Sequence, residues 1–353
     1  MRNDGTRMLA TNLHVVTGDL RINALRLPIA QHQDCSHRPA NAYSASLLTQ
    51  YVHYAREEGG QLATPRYRLT ARAALSAAAA VLRIAQAERV VQWNSWLFST
   101  NPLPATLQQI VPEVTGSLLA QFPQDALLVR CIDELALPGC AAALTRSGYL
   151  LIASRRVYHF DGRSADYWRQ STTRRERKLL QPLQGYTLCE HEQFVPADVP
   201  RIAELYRRVY IQKHSRLNAD YLDAFFARAL QERWLTFFGL RGPDGRIDAA
   251  MGCLHRDGNV STPVLGYDTQ LPEQLALYRR LVMLLLSRVA ERREQLNFSS
   301  GAGEFKRRRG GRASIEYNAL YVAHLSRSRR AAWQAFAAAS QRVAASAFAI
   351  AGA

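Results

Sequence analysis

The feature that most constrains the fold of this chain is a run of three strand-like segments with almost nothing between them. Trp234–Arg241, Ile247–His255 and Val260–Tyr267 are separated only by Pro243-Asp244-Gly245 and by Asp257-Gly258. Both connections are hairpin sequences, in which glycine supplies a positive φ and aspartate hydrogen-bonds its own turn. The three segments therefore predict an antiparallel meander, and the flanking segments must cover its faces. Upstream lie a strand, Tyr186–Val195, and two helices, Asp198–Gln212 with Asp198 as N-cap and Asn218–Gln231. Downstream come an apolar helix, Glu273–Arg292, a strand, Gln295–Ser299, a glycine-rich basic turn, and a last strand, Ser314–Val322. The order is β-α-α-β-β-β-α-β-α-β, which predicts an α+β or α/β fold with a mixed central sheet flanked by helices.

The first half carries a fainter version of the same alternation. Residues 1–36 show weak alternation and predict a loosely structured arm. Helices are expected from Asn41 to Gly59 and from Ala71 to Glu88, then a strand Val90–Phe98 and a helix Thr106–Phe122. A strand Ala126–Ile132, a short helix near Ala141 and a strand Gly148–Phe160 follow. Asp161 to Gly185 then changes character, with Arg169, Arg174, Arg175, Arg177 and Lys178 on what reads as a basic connector helix. That segment suits either a solvated connector or a contact with phosphate or nucleic acid.

The 353 residues are long enough for two cores, and 45 cationic side chains against 29 acidic ones leave a formal charge of +16. The excess favours anionic partners, although an arginine-biased genome would produce the same composition. Lysine occurs only at 178, 213 and 306. The cysteines at 35, 131, 140, 189 and 253 have no metal-ligand spacing, so no metal is expected. Their odd number predicts reduced thiols and a cytoplasmic protein. No apolar core follows a basic N-terminus, and the Ala331–Ala353 tail is too polar for a membrane span, so no membrane partner is expected. No G-x-S-x-G, Walker or H-E-x-x-H pattern occurs.

Chemistry concentrates in Leu296–Gly311, LNFSSGAGEFKRRRGG. Four glycines allow close backbone approach, and the run Lys306 to Arg309 supplies cations, which together suit an anion. Lys306 stands where arginine would serve as well for plain charge, and a compact ammonium approaches an oxyanion as a point charge. Glu304 suits a base or a cap on the following helix. Tyr278, Tyr317 and Tyr321 suit a leaving-group acid or buried structural positions. His53 with Glu57 and Glu58, His214 and His255 are further candidates for a pocket or a base.

The element order and the final motif together resemble the GNAT acyltransferases, in particular the FemAB-like branch with tandem GNAT-like domains. The residues that carry the resemblance are strand Leu296–Ser299, Gly301 and Gly303, the pair Phe305-Lys306 and the following Gly310, over about residues 186–325. It implies two GNAT-like domains with the first degenerate. The expected division is a 1–36 arm, a 37–165 degenerate domain, a 166–185 connector helix, a 186–325 acyltransferase domain and a 326–353 C-terminal helix. It also implies transfer of an acyl group, acetyl above all, from acyl-CoA to a primary amine of a small molecule or peptide. Aminoacyl-tRNA is the alternative donor, and a non-catalytic nucleic-acid-binding protein on the same fold is the third reading. On this resemblance Lys306, Tyr278 and Glu304 are the expected catalytic residues. Donor phosphates are expected near the amides of Leu275, Ala276 and Leu277 and near Lys306, Arg307 and Arg309. Typical members place a glycine-rich loop just before the third helix, whereas this chain reads TQLPEQLALYR there, with no glycine. Pro272 can begin that helix and leave the next amides free.

Overall fold

The computed structural model describes residues 9–32, 41–60 and 65–351. Its strands are β1 Val15–Ile22, β2 Leu25–His32, β3 Val90–Trp93, β4 Ala126–Ile132, β5 Leu150–Asp161, β6 Thr187–Glu190, β7 Thr236–Arg241, β8 Ile247–Arg256, β9 Asn259–Tyr267, β10 Gln295–Asn297 and β11 Arg312–Tyr321. They form one 11-stranded mixed sheet in the order β1-β2-β3-β4-β11-β5-β10-β9-β8-β7-β6. The helices are α1 Tyr54–Gly60, α2 Pro65–Ile84, α3 Leu107–Gln121, α4 Cys140–Arg146, α5 Ser171–Glu176, α6 Val199–Arg207, α7 Asp223–Gln231, α8 Leu277–Glu291, α9 Gly303–Arg307 and α10 Arg327–Ala351.

The meander forms as its turns require, with β7, β8 and β9 antiparallel neighbours. Alternate strand positions face two cores. Phe238, Ala249, Met251 and Val260 pack under α8 with Leu281, Leu285 and Leu286, while Phe237, Ile247, Ala250 and Val264 meet Ile202, Leu205 and Phe226 of α6 and α7. In the first half, Val91, Trp93, Leu127 and Val129 pack with α3, while Val90, Leu128, Ile152 and Leu320 pack with Leu82 of α2 and Trp333 of α10.

The halves interlock through exchanged strands. β11, the last strand, inserts between β4 and β5, and β5 in turn separates β11 from β10. A division at residue 165 therefore cuts through hydrogen-bonded neighbours, with β4 and β5 on one side and β10 and β11 on the other.

Several sequence expectations are corrected. The expected arm contains a β-hairpin: Leu20, Ile22, Leu27 and Ile29 share one buried face, and Ile22 pairs with Leu25 across a turn in which Asn23 takes φ 52°. Asparagine tolerates that region better than most residues. The strand at Val90 stops at Trp93 because Asn94 and Leu97 both adopt positive φ. The connector is no single helix. It is a 3-10 turn Asp166–Arg169, then α5, then a second 3-10 turn Arg177–Leu180. An extended Gln170 separates the first two, and the buried Thr173 hydroxyl donates to the Gln170 carbonyl at 2.9 Å. Asp198 makes no side-chain cap on α6; its carboxylate accepts from the Val195 amide at 2.9 Å and pairs with Arg241. α8 begins at Leu277 rather than 273, because Ala276 takes φ 53° after a 3-10 turn Glu273–Leu275.

Candidate active site

β10 joins β9 in parallel over three residues only, Gln295–Asn297 against Asn259–Ser261. Asn297 is the last residue of β10 paired with β9, and Ser299, at φ 59°, turns the chain out of the ladder. β9 runs on to Tyr267, whereas β10 ends at Asn297 and its chain bends through Phe298–Ala302 into α9. The result is a splay in the sheet beside the N-terminus of α8.

Lys306 is 4 % exposed and turned into the bend. Its Nζ donates to the carbonyls of Phe298 at 2.5 Å, Ser299 at 3.2 Å and Ser300, and lies 4.7 Å from the Phe298 ring centroid. Burial, and then the Arg155 guanidinium, push its pKa down to about 7, while the three carbonyl acceptors favour the ammonium. Lys306 thus braces the bend from inside.

Tyr278 spans the splay. Its ring centroid lies 5.7 Å from that of Tyr267 at the end of β9 and 5.0 Å from that of Phe305 on α9. Burial pushes its pKa up to about 12, so the phenol keeps its proton through neutral pH. Its hydroxyl has no hydrogen-bond partner among the described residues.

The other expected donor contacts fare differently. The amides of Leu275 and Ala276 already donate to Pro272 O at 3.1 Å and Glu273 O at 2.9 Å. The first bond into α8 is from Arg280 N–H to Ala276 O, which leaves the amides of Leu277, Tyr278 and Arg279 ahead of it. Arg309 is corrected to a structural position. It is 5 % exposed, forks onto Glu176 at 2.8 and 2.6 Å, and stacks 3.4 Å from the Phe305 ring centroid. Glu304 is exposed between Arg308 and Arg307, at 2.7 and 2.5 Å, and these hold its carboxyl below the usual range, so it stands as an ionised, paired carboxylate outside the splay. Arg307 is half-exposed and tied to that carboxylate.

The remaining candidates lie elsewhere. Tyr317 and Tyr321 pack against the core under α3 and α4. His255 hydrogen-bonds Glu294 at 2.8 Å at the far end of β8, and burial lowers the pKa of His214. Glu57 accepts from Ser215 across the junction of the halves, and the side chain of Glu58 is outside the described set. Cys131, Cys140, Cys189 and Cys253 are buried free thiols; Cys35 lies outside the described residues. Among the described residues no His, Cys, Asp and Glu cluster could hold a metal ion, and no helix is long and apolar enough to cross a membrane.

A polar wall that sequence reasoning missed runs beside the splay. Arg155 of β5 binds Glu316 of β11 at 2.9 Å and also donates to Ser99 O at 2.6 Å and Thr100 Oγ1 at 2.8 Å. Asn318 donates to Gln50 at 3.1 Å and to the Tyr51 hydroxyl at 2.9 Å. The available signal was charge inside apolar strand sequences, as with Arg130 in ALLVRCI.

Residues 168–307 match the acetyltransferase (GNAT) domain family. Among curated proteins none matches this chain. Solved structures similar to it include L-PGS from Bacillus licheniformis, at 13 % identity and a TM-score of 0.43, covering 67 % of this chain and 78 % of that one. FemX is similar at 8 % identity and a TM-score of 0.46, covering 64 % and 80 %. A tandem GNAT protein from the clavulanic acid biosynthesis pathway is similar at 11 % identity and a TM-score of 0.36, covering 66 % and 75 %.

Proposed function

We propose that this chain is a FemAB-like tandem acyltransferase that moves an acyl group, acetyl above all, from acyl-CoA to a primary amine, in a cytoplasmic setting. The observation that carries the reading is the β9–β10 splay with Tyr278 across it. The donor carbonyl sits in the splay, the open amides of Leu277 to Arg279 lie toward its phosphates, and a neutral amine attacks the carbonyl. The leaving thiolate takes its proton from the Tyr278 hydroxyl, which burial keeps protonated, and the proton released by the amine nitrogen as the amide forms returns the phenol to its neutral form. Lys306 is a positioning residue, acting through the bend it braces. Arg307, half-exposed at the rim, is the remaining cation for the donor.

Aminoacyl-tRNA is the second reading, and two observations favour it. The amides of Leu275 and Ala276 are occupied, which narrows a pyrophosphate site. The exposed Arg174, Arg175, Arg177 and Lys178 adjoin α8, where Arg280 donates to the carbonyls of Leu179 and Gln181 at 2.8 and 2.9 Å. Titration of acetyl-CoA and of charged tRNA at low and high salt separates the two. Saturable acetyl-CoA binding that persists at high salt, with thiol release in the presence of an amine, supports acyl-CoA. Binding of tRNA alone, lost steeply with salt, supports the second donor. Binding of neither, with retention of nonspecific DNA, sinks the enzyme reading.

A further inference from the structure

The wall between the halves contains a cation that the chemistry above does not use. Arg130 stands within β4, where all seven residues are buried, and is itself 3 % exposed. Its Nη1 donates to the Ser44 carbonyl at 2.5 Å, its guanidinium lies 5.9 Å from the Tyr43 ring centroid, and its Nε has no partner. Among the described residues no carboxylate pairs with it. Glu316, 1 % exposed on neighbouring β11, is committed to Arg155. Arg130, Arg155 and Lys306 thus stand against the single carboxylate of Glu316. An unpaired buried guanidinium is costly, and a fold that needed only packing there would do as well with an apolar side chain.

The surroundings suit a small polar guest. The side-chain oxygens of Asn318 and Ser44, 0 % and 2 % exposed, have no partners. Tyr51 and Tyr210 lie on two π-helical turns, Thr49–His53 and Arg208–His214, and such turns are frequent at functional sites. The ionisation of Tyr51 responds to both Arg130 and Glu316, and that of Tyr210 to Arg155 and Tyr278. One electrostatic neighbourhood therefore links Arg130 to the splay.

We propose that this wall seats the acceptor, and that the acceptor is an amine bearing an oxyanion, a carboxylate or a phosphate, which docks on the Arg130 guanidinium. This rests on the acyl-transfer reading for the word acceptor, whereas the anion site stands without it. A fork of N–H donors matches either oxyanion, and the bound acid would supply the negative charge the wall lacks.

Matched acceptors test the proposal on the full chain. β-Alanine is compared with ethylamine, and phosphoethanolamine with ethanolamine, each with the donor that the protein turns over. The expected result is a kcat/KM at least about tenfold higher for the acidic member of one pair, and the pair that shows it tells carboxylate from phosphate. Arg130→Gln should collapse that ratio to within about twofold, Arg130→Lys should restore part of it, and donor affinity in both variants reports on folding. Equal rates within both pairs, or a preference that survives Arg130→Gln, overturns the proposal. Should no donor be turned over, thermal stabilisation is read with glutarate and with inorganic phosphate. Stabilisation of the wild-type protein that Arg130→Gln abolishes upholds the anion site while the acyl-transfer reading falls. Stabilisation by neither probe overturns the site as well. Should Arg130→Gln not fold, Arg130→Met carries the same comparison with a side chain that suits the apolar strand.

Discussion

The units β3–α3–β4 and β9–α8–β10 have the same construction, two parallel strands joined by a helix, but differ in what fills their ends. β3 pairs with β4 along its whole length, Val90–Trp93 against Ala126–Val129, so no splay opens. The amides ahead of α3 are taken, Ala105 by the Asp257 carboxylate at 2.9 Å and Leu107 by Pro104 O at 3.0 Å. The turn after β4 is held by acids: Asp133 accepts from the amides of Leu135 and Ala136, and Glu134 from those of Gly139 and Ala141. In the second unit β9 overruns its partner, and the bend after β10 is held by an ammonium donating to carbonyls. Carboxylates close a turn by occupying N–H groups and repelling anions. An ammonium closes one by occupying carbonyls, which leaves N–H groups and positive potential for an anionic donor. The polarity of the brace is what distinguishes the two units.

The largest expected effect concerns the frame of the second unit. Arg309→Met leaves the buried Glu176 with only the longer ion pair to Arg279, at 3.6 Å, and should cost about 3 kcal/mol in a chemical denaturation. A shift below about 1 kcal/mol would show that the pair does not anchor α9. Tyr278→Phe comes next, lowering kcat by about 10²-fold with little change in donor KM, as expected for loss of a proton donor; a change confined to KM would make it a packing residue. Lys306→Met should lower kcat/KM by about 10²-fold by displacing the bend. Asp133→Ala, at the matching turn of the first unit, should change the rate less than threefold in the same assay. Equal losses from the two would erase the contrast between the units.

A pH effect should be smaller but specific. Lys306 binds its proton more weakly in the folded protein, near pH 7, than in the unfolded chain. Between about 7 and the ordinary lysine value the unfolded chain holds the extra proton, so stability rises with pH across that window. Denaturation midpoints compared between about pH 7 and 8.5, below most thiol titration, should rise for the wild type relative to Lys306→Met. Parallel curves would mean that the carbonyl acceptors keep the ammonium through the window. Smallest of all is Glu304→Ala, which removes only a solvent-exposed ion pair. The midpoint should not move measurably and activity should stay within twofold; a large loss of rate would return Glu304 to the chemistry.

Local chemistry explains what could be read in advance. Pro243-Asp244-Gly245 and Asp257-Gly258 specify their hairpins whatever surrounds them, and the apolar periodicity of α8 and the run of β4 are strong by themselves. The 15–32 hairpin was illegible because its two four-residue apolar sets look like weak alternation until they meet α3. The roles of Arg309 and Glu304 were illegible for a different reason. Four consecutive cations look equivalent along a chain, yet α9 and the turn that follows it point Lys306 and Arg309 inward and leave Arg307 and Arg308 outside.

The sequence by itself determined the meander, the helix that covers it, and the Phe305-Lys306 turn after β10, because hairpin φ values and side-chain periodicity are properties of neighbouring residues. Only the tertiary structure decided that β11 lies between β4 and β5, that β10 leaves β9 after three residues and opens a splay where Tyr278 can reach across, and that Arg130 is buried without an acid. Each of those depends on which strand lies beside which, and strand partners more than a hundred residues apart are selected by the packing of whole faces, not by any residue's own preference.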